Sequence, residues 1–273
     1  MNNSTLNFSA SETSTNSTDL SIGLMESLEI CVFSIYLLFG LPTNSYVIWL
    51  IVTGTSGVAL EFLNLNLSVC EIGNCVNCLI SILSIWFLSI LPFNYFLIGL
   101  VATGRPLFQC LMCVERYLAV VHPVTFLKYK PLRYRVICCA VAWMITFGSC
   151  FCCMFTMGSY LIVHIWLTLM QSLFVFSIQL FCLVDVLRAL KQSGPGEKKR
   201  VKEENHMKRR AFYLILVTTV SMVIIYVPFS ISGIYTVLIK EFLWACWIPS
   251  MICYVLAGFV QPILYLHRTG KLF

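Results

Sequence analysis

Seven long apolar runs follow one another along the chain, divided by short polar or turn-forming stretches. They lie at 28–52, 62–88, 95–121, 135–155, 160–187, 210–237 and 242–266. Each meets the ~20 apolar residues needed to cross ~30 Å of hydrocarbon. The separators differ in character. Residues 53–61 part the first two runs, and Pro92-Phe93-Asn94 marks a turn before the third. Residues 122–134 make a basic loop, and Thr156-Met157-Gly158-Ser159 a very short one. Residues 191–208 are polar and charged, with Gly194-Pro195-Gly196 as a breaker. Lys240-Glu241 closes the sixth gap. The runs do not alternate polar and apolar residues as barrel strands would, so the spans are helices. The pattern predicts an all-α membrane protein, a seven-transmembrane helix bundle over 28–267. No internal repeat is visible, which weakens a transporter reading built on repeated halves.

Composition agrees with the pattern. Hydrophobic residues make up 59% and charged residues only 11%, with a mean hydropathy of +0.87. A soluble domain carries about 25% charged residues, so this chain could not cover a water-facing surface.

The basic residues predict orientation. Lys128, Lys130, Arg133 and Arg135 fall in or beside one loop, and nine more Lys or Arg lie from Arg188 to Arg210. Arg268 and Lys271 end the chain, while the opposite side has only Lys240. The positive-inside rule then puts the N-terminus outside and the C-terminus inside. The first inner loop, 54–60, departs from the rule by having no basic residue.

Residues 1–27 are rich in Ser, Thr and Asn and contain no Lys or Arg. They lack the basic and apolar parts of a signal peptide, so an extracellular, disordered tail is expected. Asn2, Asn3, Asn7 and Asn16 each open an Asn-x-Ser/Thr acceptor for glycosylation. Asn66-Leu67-Ser68 matches too, but inside a span. Residues 268–273 are expected as a short cytoplasmic tail of a multi-pass plasma-membrane protein.

Fourteen cysteines raise the question of metal. Cys75/Cys78, Cys110/Cys113 and Cys150/Cys153 have a C-x-x-C spacing, yet all six lie in apolar spans with no His or carboxylate cluster beside them. Free cysteine packs well between helices. Neither a metal nor a cofactor is expected. No nucleophile motif, glycine-rich phosphate loop or H-E-x-x-H is present, so the chain does not read as an enzyme, and nothing in it suggests nucleic acid.

Six local patterns then line up in order. The third span ends Cys113-Val114-Glu115-Arg116-Tyr117-Leu118-Ala119-Val120-Val121-His122-Pro123. Gly40-Leu41-Pro42-Thr43-Asn44 stands in the first span, Leu67-x-x-x-Glu71 in the second and Trp143 in the fourth. Tyr226-Val227-Pro228-Phe229 lies in the sixth, and Gln261-Pro262-Ile263-Leu264-Tyr265 in the seventh. Together they resemble the landmarks of rhodopsin-family G-protein-coupled receptors: (Asp/Glu)-Arg-Tyr, the first-span Gly-Asn, Leu-x-x-x-Asp, the fourth-span Trp, Trp-x-Pro and Asn-Pro-x-x-Tyr. Glu71 stands for Asp, Tyr226 for Trp and Gln261 for Asn. The inner segments Leu187-Arg188-Ala189-Leu190 and Pro123-Val124-Thr125-Phe126 resemble those of purinergic-like and orphan receptors.

The resemblance implies a receptor that passes the signal of an extracellular or membrane-borne ligand to a heterotrimeric G protein. Glu115, Arg116, Tyr117, Val124 and Tyr265 would serve coupling, with Val124 as an apolar anchor. Tyr226, Pro228, Gln261 and Pro262 would serve as the activation switch, since proline kinks its helix and lets it swing. The basic run from Lys198 to Arg210 suits anionic membrane lipids as well.

The departures carry weight too. Leu91 holds the position of the family's third-span cysteine, the second outer loop has nearly vanished, and the fifth-span proline is missing. Lys208 stands about where some receptors carry an acid. An alternative function is therefore a signalling-poor receptor relative that acts as a membrane interaction partner. A channel or transporter would need a polar path, and only Glu71 and Arg105 qualify.

The upper bundle is nearly free of charge. Candidate pocket residues are Ile98, Ala102, Tyr226, Phe229, Met251 and Tyr254. Ile98 occupies the place of the amine receptors' Asp. A phosphate would find no counter-charge here, so an apolar or lipid-like ligand is expected. At the bundle centre, Arg105 lies eleven residues before Arg116, about 16 Å along the helix. An Arg at that depth costs at least ~2.5 kcal/mol unpaired, and Glu71 on the neighbouring span is its expected partner. The family often binds sodium beside the second-span acid. Here the ion pair would replace sodium with a built-in cation.

Overall fold

The computed structural model describes residues 9–54, 61–123, 126, 132–158, 160–192, 199–239 and 244–269. The helices are α1 (Ser9–Thr53), α2 (Phe62–Ser84), α3 (Leu91–Val121), α4 (Leu132–Thr156), α5 (Leu161–Gln192), α6 (Lys199–Ile239), α7 (Trp244–Gly258) and α8 (Val260–Thr269), with a 3-10 turn at Leu88–Ile90 before α3. No strand occurs among the described residues. Seven segments are long and apolar enough to cross a membrane: Glu26–Thr53, Phe62–Ser84, Leu88–Val121, Leu132–Thr156, Ile162–Ala189, Phe212–Ile239 and Ile248–His267. The last joins α7 and α8. The protein is an all-α, multi-pass membrane bundle.

Several boundaries differ from the sequence expectation. Pro92-Phe93-Asn94 is not a turn. Pro92 sits in the first turn of α3, where its missing N–H costs nothing and its fixed φ suits the helix. The chain reverses earlier, around Trp86 and Phe87, whose amides bond the Leu83 carbonyl. Helix α1 begins at Ser9, well before the expected start of the first span. Once a helix exists, each added residue needs only one further bond, and no proline precedes Pro42. Likewise α6 begins at Lys199 inside the stretch read as a polar loop.

Helix α3 is the hub, packed against α2, α4, α5 and α6, and α1 closes the ring against α7. Two thirds of the third span (67%) is buried, against 28–44% for the others. A buried helix has no face to spend on lipid, so its polar residues must find partners within the bundle. Gly99 lets two backbones approach closely: a Cβ there would lie 2.5 Å from the Cys150 Cα of α4. Trp143 of α4 reaches α2, its Nε1 donating to Asn66 Oδ1 at 2.8 Å. Such interhelical bonds and small residues are what hold spans together where lipid offers no hydrophobic drive.

The seventh span breaks at Phe259. Pro262 has no N–H to give the carbonyl four residues back, at Gly258. The Phe259 amide instead bonds Leu256 O at 3.2 Å, a tightened turn. The break falls beside the most polar part of the core.

Candidate functional site

The core site starts on α2. Leu67, Glu71, Asn74 and Cys78 recur at helical spacing and are all buried, so one face of α2 turns a carboxylate inward. Arg105 on α3 is 0% exposed and Glu71 is 2% exposed. The structure brings them into a bidentate pair. Arg105 Nε donates to Glu71 Oε1 at 2.6 Å and Nη2 donates to Oε2 at 2.6 Å. Two parallel N–H···O bonds are the geometry in which guanidinium and carboxylate pair most strongly.

Other helices complete the shell. The Tyr36 hydroxyl of α1 donates to Glu71 Oε2 at 2.6 Å and accepts from Arg105 Nη2 at 3.0 Å. Asn74 Nδ2 donates to the same Glu71 oxygen at 3.0 Å. Arg105 Nη1 donates to the Tyr254 backbone carbonyl of α7 at 3.2 Å, and its guanidinium carbon lies 4.0 Å from the Tyr254 ring centre. One guanidinium thus links the first, second, third and seventh spans. Gly258 makes room for it, because a Cβ there would lie 2.7 Å from Tyr36 Cε2 and 3.0 Å from Arg105 Nη2.

Tyr36 carried no signal in the sequence as part of this site, and Gly258 was legible only as a position lacking a polar side chain, not as room for the guanidinium. Asn74 was findable, since position i+3 from Glu71 shares its helix face. Tyr254, singled out as a pocket residue, also belongs here. Just beyond Glu71, a cavity of about 10 Å³ is lined by Asn44, Ser68, Gln261 and Tyr265 among others. Gln261 Nε2 donates to Thr218 Oγ1 of α6 at 3.1 Å, tying the sixth and seventh spans.

A second group lies near the C-terminal end of α3. Glu115 pairs with Arg135 on α4, which the sequence reading placed at the start of the fourth span without pairing it to Glu115. Arg116 is half-buried. The Tyr117 hydroxyl lies 3.2 Å from His122 Nε2, and its ring packs near Val186 and Ile215. Tyr265 is buried among Val47, Leu50, Ile51 and Leu266. Val124 and the acceptors Asn2, Asn3 and Asn7 lie outside the described residues. Asn16 falls within α1. Pro228 lies inside α6, which continues through it.

At the other end of the bundle, a cavity of about 470 Å³ is lined by Ile98, Ala102, Tyr226, Phe229, Met251 and Tyr254, with further residues of α1, α2 and α5. That volume lies in the range of small-molecule sites. Among the described residues that line it, the carboxylates are Glu26 and Glu29, and no Lys or Arg is present. Tyr254 faces both places: it lines this cavity and it caps Arg105. Among the described residues no cluster of three or more His, Cys, Asp or Glu could hold a metal, and the described cysteines are free.

No protein-family model matches the chain. It is similar to C-C chemokine receptor type 8 of Homo sapiens, 26% identical over 45% of this chain and 38% of that receptor. It is also similar to the G-protein coupled receptor homolog Q2/3L of Sheeppox virus (strain KS-1), 23% identical over 46% of this chain and 35% of the relative. The match thus spans little more than a third of the length of these relatives.

Proposed function

We propose that this chain, whose weak homology and seven apolar helices fit the rhodopsin family of G-protein-coupled receptors, carries the signal of an apolar or lipid-like ligand across the plasma membrane to a heterotrimeric G protein. The N-terminus lies outside and bears sugar at one or more of Asn2, Asn3, Asn7 and Asn16. The observation that carries the reading is the pairing of two ends in one bundle: a largely apolar cavity at one, and Glu115-Arg116-Tyr117 at the other. Arg116 sits where its charge can reach a partner, and Val124 offers that partner an apolar contact. Tyr226, Pro228, Gln261 and Pro262 lie on the spans between the two ends. The Arg105 guanidinium acts as the resident cation of the core. Removal of bulk sodium then leaves activity unchanged.

The test is basal recruitment of G protein by the expressed protein, with Arg116→Ala as control at equal surface level. Recruitment above the control supports the receptor. A wild-type signal no higher than the control, with the protein at the surface, removes the assignment. One observation favours a signalling-poor relative instead. The guanidinium of Arg105 binds three other spans at once, and a bundle so tied resists opening.

A further inference from the structure

We infer that the 470 Å³ cavity selects a single-chain amphipath with a cationic, hydrogen-bond-donating head, such as a long-chain primary amine. The inference deepens the receptor reading and rests on its use of this cavity as the ligand site.

The walls are chiefly apolar, with Phe33, Ile98, Ile225 and Phe229 among them. They suit a hydrocarbon body. Hydroxyls in the wall can donate or accept, so the features that discriminate are the two carboxylates and one unpaired amide oxygen. Glu26 and Glu29 stand three residues apart on α1, so they share a helix face, and both line the cavity. Among the described residues no Lys or Arg lines it. Arg105 is committed below to Glu71. Farther in, Asn77 is 8% exposed and its Oδ1 has no hydrogen-bond partner. A buried acceptor without a donor is a standing cost that a ligand N–H removes. The Tyr254 hydroxyl, also lining the cavity, has no partner either.

These observations are independent of one another. The two carboxylates define the charge that is tolerated, and the orphaned amide oxygen defines a donor. An ammonium meets both, having donors and no acceptor. A carboxylate or phosphate head meets neither. It would face Glu26 and Glu29 with no counter-charge, and its oxygens could not satisfy Asn77 Oδ1. A neutral alcohol meets the second demand only.

The experiment uses the full chain in nanodiscs of zwitterionic lipid, with empty discs as blank. Radiolabelled dodecylamine is displaced by unlabelled dodecylamine, dodecanol or dodecanoate. The expected result is saturable binding in which the amine outcompetes the alcohol by roughly tenfold, about 1.4 kcal/mol, and the carboxylate is weaker still. In the double variant Glu26→Gln, Glu29→Gln the amine should lose that advantage while dodecanol displaces as before. Asn77→Leu should weaken amine and alcohol together. Dodecanoate competing as well as the amine overturns the inference, as does wild-type preference in the double variant. The competition series on the unaltered protein decides the matter even if a variant fails to fold. Amine-selective binding without G-protein recruitment leaves the site standing and removes the receptor. Recruitment without amine selectivity does the reverse.

Discussion

Replacing either member of the buried ion pair by glutamine should damage the protein far more than replacing both. In Arg105→Gln, Glu71 keeps Tyr36 and Asn74 as donors and loses both charge-assisted bonds of 2.6 Å. In Glu71→Gln, Arg105 keeps its charge against the Tyr36 hydroxyl and the Tyr254 carbonyl. Breaking a buried pair costs ~3–5 kcal/mol because a charge is left uncompensated. That is a large share of the ~5–15 kcal/mol that holds a typical protein folded. The double variant strands no charge. Its two amides can still bond each other and Tyr36, so its loss should be that of a few neutral bonds, at ~0.5–1.5 kcal/mol each. The difference between the sum of the singles and the double is then ~2–3 kcal/mol or more, well above the scatter of independent sites. The assay is surface expression by flow cytometry, together with the melting temperature of detergent-purified protein. Both should fall sharply in each single variant and recover in part in the double. Damage that simply adds in the double would show that the two side chains do not meet, and would also remove the argument that Arg105 stands in for sodium.

Arg116→Ala and Val124→Asp should each reduce G-protein recruitment at matched surface level, the second by placing a desolvated carboxylate in an apolar contact; normal recruitment in both would refute the coupling assignment. Glycosidase treatment of membranes should shift the band to lower mass, and an epitope after Phe273 should stay hidden from antibody on intact cells; its detection there would reverse the topology. Gly258→Ala should destabilise by ~1–3 kcal/mol as an overpacked core does, because its Cβ would press on Tyr36 and Arg105; an unchanged melting temperature would mean that the seventh span is free to shift.

The spans were legible because ~20 apolar residues in a row have one common use. Their ends were less so. Pro92 looks like a breaker when read alone and is a helix starter when read from its N-terminal side. Arg105 and Glu71 could be paired from sequence because the cost of an isolated mid-membrane charge leaves few options. What surrounds them could not. Tyr36 precedes Arg105 by 69 positions, and nothing local marks a tyrosine as the one that will bridge two charges. Gly258 is still less visible, since its contribution is an absence of side chain. The partner of Glu115 was likewise out of reach. The structure pairs it with Arg135 of α4, and nothing local in the sequence marks which basic residue beside the loop will reach it.

The bonds around Arg105 are unequal, and the inequality has a direction. Toward α2 they are two charge-assisted contacts at 2.6 Å. Toward α7 there is one neutral acceptor at 3.2 Å and one aromatic face at 4.0 Å. By magnitude the first set belongs with buried pairs worth ~3–5 kcal/mol to break. The second amounts to ~1 kcal/mol for the hydrogen bond and up to ~2 for the cation–π contact. A displacement of the seventh span therefore parts from Arg105 first, while α2 and α3 stay joined. The ion pair keeps a satisfied charge throughout, so the movement strands nothing in the core. Tyr254 is the residue that would travel, and it also lines the 470 Å³ cavity. On the proposed function, a ligand bound to the Tyr254 hydroxyl would act on the weaker side of the junction, and differential affinity of a few kcal/mol for the two positions would be enough to shift their populations. The junction is thus rigid between α2 and α3 and yielding toward α7.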